Sequence, residues 1–295
     1  MTESYAPRRI KRTRRTKAQM GTIRDGLRDL AEENQPLTIR QLFYRAVATG
    51  LIDKTQAAYN QLVVRLMGQM REDGTIPFAW IIDNTRWMRK PTTYHGLRSM
   101  LVRTHQTYRR AIWDEQDATV EIWCESDSVA GILWDVTNEY DVPLMPCSGQ
   151  PSKSFLHSAA ENMVNIGGPW FIYYFGDYDK TGMDISARIE RDLTRYTERQ
   201  LDDDVFINFT FERVAINEAQ IRKFNLPTRP PKDKRGGFTK TVELEAMTTA
   251  QLQHLCRQSI TRHIDWRRLE ALREVEDAER NTLATIIKNL ELEAA

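Results

Sequence analysis

The sequence has few cysteines and lacks the short motifs of structural metal sites. Its three cysteines, Cys124, Cys147 and Cys256, stand far apart, and neither Cys-x-x-Cys nor His-Glu-x-x-His occurs among the 295 residues. A disulfide framework and a structural zinc site are therefore not indicated, because both are recognised by ligand residues at regular short spacings. We expect reduced thiols in a folded core.

Long apolar runs and nucleotide-binding motifs are also missing. No apolar run approaches the roughly 20 residues of a membrane-spanning helix, and the basic N-terminus lacks the apolar segment of a signal peptide. We therefore expect a cytoplasmic protein without a membrane partner. The chain has no Walker A loop and no Asp-x-Gly-x-Gly motif, so no ATP site is predicted.

Positive charge is unevenly distributed, although the net charge is only +1. Residues 1–17 carry seven Lys and Arg against one acid, which predicts a basic disordered arm. The stretch 84–113 contains several Arg and Lys and no acid, and 222–240 is also strongly basic. Three basic clusters in a nearly neutral chain predict a surface that binds nucleic-acid phosphates. The candidate DNA contacts in the second cluster are Arg86, Arg89 and Lys90.

The N-terminal part has the periodicity of helices. Residues 17–33 and 54–73 are predicted to be helical, and Thr38 can cap a further helix between them. An apolar strand is predicted at 78–82. Three helices that lead into a strand favour a winged-helix (CAP-like) domain over residues 18–90.

Strands and helices alternate in the following part of the chain, residues 116–264. This alternation predicts an α/β domain with a Rossmann-like parallel sheet. Residues 91–115 are expected to be a basic linker, and residues 265–295 a long amphipathic helix. The predicted strands are 119–124, 142–145, 170–175 and 205–211, and the predicted helices are 128–139, 152–164 and 182–199.

Acidic residues directly follow two of these strands. Glu125 ends the strand 119–124, and Asp177 and Asp179 follow the strand 170–175. In an open parallel sheet, ligands bind outside the carboxyl ends of the strands. Three carboxylates from two strand ends can share one hard cation such as Mg²⁺. The alternative is that the two aspartates are ordinary turn formers.

These acids and their neighbours resemble the Toprim domain of topoisomerases, primases and related nucleases. The segment "GDYDKTGMDIS" is similar to the A subunit of topoisomerase VI and to the meiotic double-strand-break transesterase, where Asp-x-Asp is followed by Pro-x-Gly-x-Asp-Ile. Lys180 replaces that proline, and Ser126 stands where the family usually has lysine. The resemblance implies that Glu125, Asp177 and Asp179 hold Mg²⁺, with Mn²⁺ as a substitute.

A second segment, "VPLMPCSGQPS" (142–152), is similar to the family's strand followed by Gly-x-Gly-x-Pro, with Ser148 in the place of one of the family's residues. A loop that opens a helix offers backbone N–H groups to an anion. We therefore expect contacts to DNA phosphates at Gly149, Gln150 and Lys153, joined by Lys180.

The resemblance also implies a tyrosine nucleophile in the winged-helix domain, within Arg-Asp-Ile-Tyr-Tyr or Arg-Asp-Ile-Phe-Tyr. The chain has Arg40-Gln41-Leu42-Phe43-Tyr44. Helical geometry predicts that Tyr44 lies outside the buried stripe of its helix, on the face that carries Arg40. The resemblance implies that Tyr44 is the nucleophile and that Arg40 assists it. From the residues alone, a partly exposed tyrosine that packs on a neighbouring domain is the alternative.

The function that the resemblance implies is DNA cleavage by a transesterase of the type IIB topoisomerase A-subunit kind. It would act on duplex DNA as a homodimer, leave 5′-phosphotyrosyl ends and work in the cytoplasm, in the nucleoid of a bacterial or phage-infected cell. Shortened stand-alone A-subunit-like proteins of bacteria and phages are the most similar group, and an ATPase partner stays unknown. Two alternatives remain: a hydrolytic Toprim nuclease in which Tyr44 only contacts DNA, and a non-catalytic DNA-binding protein.

Overall fold

The computed structural model describes residues 15–81, 91–200, 208–231 and 237–293. The chain divides into two compact units, with the boundary between residues 82 and 83. Within the described ranges, no helix combines the length and the apolar character needed to cross a membrane.

The first unit is helical in its described part, as predicted. Helix α1 begins after Thr16, whose hydroxyl accepts a hydrogen bond from the N–H of Gln19. The helix predicted over 54–73 forms as two pieces joined by a π-helical stretch. The helices are α1 (Lys17–Asn34), α2 (Ile39–Ala48), α3 (Gln56–Ala58) and α4 (Arg65–Glu72).

The prediction of a strand at 78–82 is wrong over its described residues. Phe78–Trp80 form a 3₁₀ turn, and only Ile81 makes a β-bridge, with Leu37. The N–H of Leu37 donates to the carbonyl oxygen of Trp80 at 3.1 Å. The N–H groups of Trp80 and Ile81 donate within the turn, to the carbonyl oxygens of Pro77 and Phe78, so the run forms local hydrogen bonds in place of a strand ladder. The winged-helix domain stays a prediction.

A four-stranded parallel sheet forms the centre of the second unit, with the order β2-β1-β3-β4. This confirms the predicted Rossmann-like parallel α/β architecture. β1 and β3 are aligned so that their last residues, Cys124 and Phe175, pair with each other. The residues that follow them therefore leave the sheet side by side. The strands are β1 (Thr119–Cys124), β2 (Leu144–Pro146), β3 (Trp170–Phe175) and β4 (Phe209–Ala215).

The last strand and the expected linker differ from the prediction. β4 continues to Ala215, beyond the predicted end at residue 211, and residues 205–207 lie outside the described ranges. The stretch 91–115, expected to be a linker, contains the helix α5 (Leu97–Thr107), in which Leu97, Met100 and Leu101 recur at helical spacing although no side chain is buried. The helices of this unit are α5 (Leu97–Thr107), α6 (Asp127–Glu139), α7 (Lys153–Ile166), α8 (Lys180–Glu198), α9 (Glu218–Lys223), α10 (Thr249–Thr261) and α11 (Trp266–Glu293).

Helices cover both faces of the sheet. On one face, α7 and α8 enclose a core that includes Trp123 and Tyr174. Side chains alternate along a strand, so Tyr173 points to the opposite face. There its hydroxyl lies 2.6 Å from Nε2 of His263, which follows α10. The carboxyl ends of β1 and β3 are thus held by a sheet that is packed on both sides.

Candidate metal centre at the strand ends

Glu125 joins the ends of β1 and β3. Its N–H donates to the carbonyl oxygen of Phe175 at 2.9 Å, and its Oε2 accepts a hydrogen bond from the N–H of Asp177 at 3.0 Å. The acid at one strand end is therefore bonded to the loop at the neighbouring strand end. Burial raises the pKa of Glu125, and nearby Asp179 raises it further.

Glu125 and Asp179 line the same cavity, which has a volume of about 260 Å³. Asp179 also caps α8, because its Oδ1 accepts a hydrogen bond from the N–H of Gly182 at 2.8 Å. Two carboxylates at one cavity suit Mg²⁺, which takes one or two carboxylate ligands and keeps waters for substrate phosphates. The remaining lining residues are Lys180, Thr181, Arg229, Pro231 and Thr241.

Asp177 is held differently from Asp179. Its Oδ1 accepts a hydrogen bond from the N–H of Leu244 at 2.8 Å. Burial, together with the charges of Glu245 and Glu125, raises the pKa of Asp177 well above its ordinary value. Ionisation of Asp177 is therefore less favourable than ionisation of an exposed aspartate while no cation is bound.

The three predicted ligands are close neighbours in the fold, but they do not form one ready-made cluster. Across the described ranges, no three His, Cys, Asp or Glu side chains converge as a group that could hold a metal ion. Glu125 and Asp179 are the pair that share a cavity, and their oxygens are the hard donors that Mg²⁺ prefers. The inclusion of Asp177 as a third ligand stays a prediction.

Glu245 is a buried acid of this region that the sequence analysis did not identify. Its Oε1 accepts hydrogen bonds from the hydroxyls of Ser126 at 2.9 Å and Ser128 at 2.7 Å. Ser126, at the position where the family usually has lysine, therefore binds an acid of the site. The alternation of apolar and acidic residues in "VELEAM" (242–247) was the available signal, because acids among buried apolar neighbours need partners.

Arg213 on β4 holds the loop that follows β3. Its guanidinium donates to the carbonyl oxygens of Gly176 at 2.8 Å, Gly182 at 3.1 Å and Asp177. Its charge also lowers the pKa of Glu125, against the larger effect of burial. This role could not be predicted from the sequence, because a single arginine in a strand belongs to no motif.

The predicted phosphate-binding loop follows β2 at the same edge of the sheet. Gly149 has a φ of +96°, a left-handed conformation that glycine adopts without strain. Oε1 of Gln150 accepts a hydrogen bond from Arg188 on α8, and Lys153 is the exposed first residue of α7. A side-chain hydrogen bond therefore links the loop to α8, and the exposed cation of Lys153 follows the loop.

Of the remaining predicted DNA contacts, only Lys180 lies within the described residues. Lys180 lines the cavity and forms an ion pair with Asp184, one turn along α8. Arg86, Arg89 and Lys90 lie outside the described residues.

In the first unit, Tyr44 is buried, with 2% of its surface exposed. The prediction that it lies outside the buried stripe of α2 is therefore wrong. Its ring packs edge-on against Phe43, with the centroids 5.3 Å apart, and Nζ of Lys54 lies 5.0 Å from the centroid of the Tyr44 ring. Because Gln41 and Leu42 are buried as well, α2 is covered on more than one side, and a single stripe underestimates its burial.

Arg40 and Gln41 have defined contacts near the start of α2. Cζ of the half-buried Arg40 lies 5.4 Å from the centroid of the Tyr59 ring, a cation–π geometry. Gln41 and Thr38 form a capping box, with reciprocal hydrogen bonds of 2.9 and 3.2 Å. Gln41, where the family has aspartate, therefore stabilises the helix N-terminus.

Comparison of the chain with protein-family models, with curated proteins and with solved structures finds no match.

Proposed function

We propose that the protein is a magnesium-dependent DNA transesterase similar to the A subunit of topoisomerase VI. The observation that carries this proposal is the shared cavity at the strand ends, where Glu125 and Asp179 are accompanied by Lys180 and Arg229. A divalent cation held by the acids, beside two basic side chains, suits the phosphodiester group of DNA. Glu125 and Asp179 would hold the ion, with Asp177 as the predicted third ligand.

Tyr44 is the proposed nucleophile. Its phenolic oxygen forms a bond to phosphorus, and the bond from phosphorus to the 3′ oxygen breaks. The phenol loses its proton and the departing 3′ oxygen gains one, so the products are a 5′-phosphotyrosyl end and a 3′-hydroxyl, and no energy source is consumed. A tyrosine with an ordinary pKa of about 10 is a poor nucleophile at neutral pH, because little phenolate is present. The role proposed for Arg40 is to stabilise the phenolate form of Tyr44. Mg²⁺ held by Glu125 and Asp179 would supply positive charge beside the attacked phosphate.

The proposal includes a homodimer. In the family that the motifs resemble, the tyrosine of one protomer works with the metal of its partner, and two such centres cut both strands of duplex DNA. Sedimentation at micromolar concentration, with and without duplex DNA, tests the dimer, and a monomer under both conditions would remove the basis for paired cuts. Duplex DNA as substrate implies the nucleoid as the place of action. No ATPase partner is assigned.

The burial of Tyr44 favours one second candidate, a hydrolytic nuclease that uses the same metal centre. A side chain that is 2% exposed must move before its oxygen can attack a phosphate. Hydrolysis requires only a water molecule at the metal centre, and Tyr44 would then have a packing role.

Plasmid cleavage distinguishes these functions. Supercoiled plasmid is incubated with the protein and Mg²⁺. Strand breaks are then measured in untreated samples, in samples treated with detergent, and in samples treated with detergent and protease. A transesterase gives breaks that appear after detergent, with protein on the 5′ ends until protease removes it. A nuclease gives breaks without detergent and free 5′-phosphates that ligase can join. Absence of breaks with retained DNA binding would support the non-catalytic alternative and contradict both enzymes.

A further inference from the structure

We infer that Arg229 and Lys180 form a phosphate-binding subsite in the cavity of Glu125 and Asp179, and that phosphate binding there is coupled to the divalent cation. The inference rests on the proposed function in one respect, because it takes the natural ligand to be a phosphate of the DNA backbone. Arg229 lies outside the motifs that carry the Toprim resemblance.

The guanidinium of Arg229 is fixed from two sides. Its Nη2 lies 2.5 Å from Oε1 of Glu243, and its Nε donates to Oγ1 of Thr241 at 3.3 Å. The backbones of Arg229 and Thr241 are also bonded to each other, at 3.1 and 2.8 Å. Arg229 is therefore held in one orientation before any ligand binds, which lowers the entropic cost of binding.

The ion pair is open on the arginine side only. The side chain of Glu243 is 6% exposed, whereas that of Arg229 is 29% exposed and lines the cavity. A guanidinium has five N–H donors in a planar fork, and the contacts with Glu243 and Thr241 use only part of this capacity. A buried acid that orients an arginine at a cavity is an arrangement suited to an incoming oxyanion.

The other lining groups and the size of the cavity agree with a phosphate ligand. Lys180, which is ion-paired with Asp184, contributes a second basic side chain, and the hydroxyl of Thr181 can donate a hydrogen bond. The volume of about 260 Å³ is below the roughly 300–1,000 Å³ of pockets for drug-sized ligands. The cavity therefore suits a small group such as a phosphate.

The acids of the same cavity make anion binding conditional. Glu125 and Asp179 repel an anion when they are ionised and carry no cation. A divalent cation held by these two carboxylates removes that repulsion and leaves Arg229 and Lys180 to bind the anion. Linkage requires the converse with the same factor, so phosphate must strengthen the binding of the cation.

Titration calorimetry of the DNA-free full-length protein tests this coupling. Mg²⁺ is titrated with and without millimolar inorganic phosphate, after correction of free Mg²⁺ for its association with phosphate. In the wild type, phosphate should strengthen Mg²⁺ binding by roughly fivefold or more. Arg229→Gln should lose most of this factor. Arg222→Gln is the matched control, because Arg222 pairs with exposed Glu218, is absent from the cavity lining and should leave the coupling unchanged.

Arg229→Gln removes the arginine that pairs with buried Glu243, so the double variant Arg229→Gln/Glu243→Gln provides a second test in which this acid is neutral as well. It should also lose the coupling. Equal Mg²⁺ affinity with and without phosphate in the wild type, or full coupling in the double variant, would overturn the subsite. Coupling without any 5′ protein adduct on DNA would contradict the transesterase but support the subsite. An adduct without coupling would support the transesterase but contradict the subsite.

Discussion

The carboxylate of Glu125 accepts a hydrogen bond from the backbone N–H of Asp177 at 3.0 Å, so the acid that ends β1 is bonded to the loop that follows β3. The same loop places Asp179 at the cavity that Glu125 lines. Buried acidic charge is therefore concentrated at one edge of the sheet, and burial raises the pKa values of both Glu125 and Asp177. A bound cation would offset this charge.

Asp177→Asn should stabilise the cation-free protein at neutral pH. The pKa of Asp177 is raised in the folded state, so the stability contributed by its protonated form is present at acidic pH and is lost as the pH rises through the folded pKa. Asparagine keeps an acceptor for the N–H of Leu244 and cannot ionise. Thermal melts without Mg²⁺ should show a gain of roughly 2–4 °C, the shift expected for about 1 kcal/mol. A lower melting temperature at neutral pH would contradict this assignment.

Gly182→Ala should abolish the stabilisation of the protein by Mg²⁺. A Cβ atom at Gly182 would meet the carbonyl oxygen of Asp177 and lie 3.1 Å from Oε2 of Glu125, so the acids must shift. The expected loss of unfolding free energy is about 1–3 kcal/mol. Gly21→Ala is the control, because a Cβ there meets nothing within 4 Å. If Mg²⁺ raises the melting temperature of Gly182→Ala as much as that of the wild type, the close packing of Gly182 against Asp177 and Glu125 is not required for binding of the ion.

Arg213→Lys should weaken the metal centre while keeping its charge. A lysine ammonium cannot reproduce the fork that bonds the carbonyl oxygens of Gly176 and Gly182. Loss of such an outer contact lowers metal affinity by roughly tenfold, which calorimetry with Mn²⁺ can measure. Arg262→Lys, which alters an ion pair with Glu212 away from the loop, should bind Mn²⁺ as the wild type does. Equal affinities of all three proteins would remove the positioning role of Arg213.

Glu121→Gln should raise the free energy of unfolding at neutral pH by roughly 1 kcal/mol. Glu121 is buried within β1, and burial raises its pKa, while Nε1 of Trp123 donates to it at 2.7 Å. The stability that its protonated form provides is lost as the pH rises, and glutamine keeps the acceptor without the charge. Denaturant unfolding at acidic and neutral pH should show a gain at neutral pH only. The exposed acid in Glu212→Gln is the control and should show no comparable gain.

The parts of the site that the sequence revealed are those set by local order along the chain. Glu125 directly follows β1, Asp179 lies in the loop after β3, and parallel pairing of these strands brings the two acids together. The bond of Asp177 to Leu244 and the pair of Arg229 with Glu243 depend on segments far apart in the sequence. No periodicity encodes such contacts.

In the first unit, α2 shows the same limit of prediction from local sequence. Its cap at Thr38 follows from the local sequence, and the capping box with Gln41 confirms it. The burial of Tyr44 depends partly on Lys54, which lies in the next segment and approaches its ring. Amphipathic periodicity describes one packed face, and α2 is packed on more than one.

The most direct test of the central claim compares Tyr44→Phe with Tyr59→Phe on internally labelled duplex DNA in the presence of Mg²⁺. Tyr59→Phe is the matched control, because Tyr59 packs on Phe43 and lies beside Arg40 in the same unit. After denaturation and nuclease digestion, label should remain on the wild type and on Tyr59→Phe and should be absent from Tyr44→Phe, whose DNA affinity stays within a few fold of wild type. Cleavage to free 5′-phosphates that persists in Tyr44→Phe and is lost in Asp177→Ala would contradict the transesterase account.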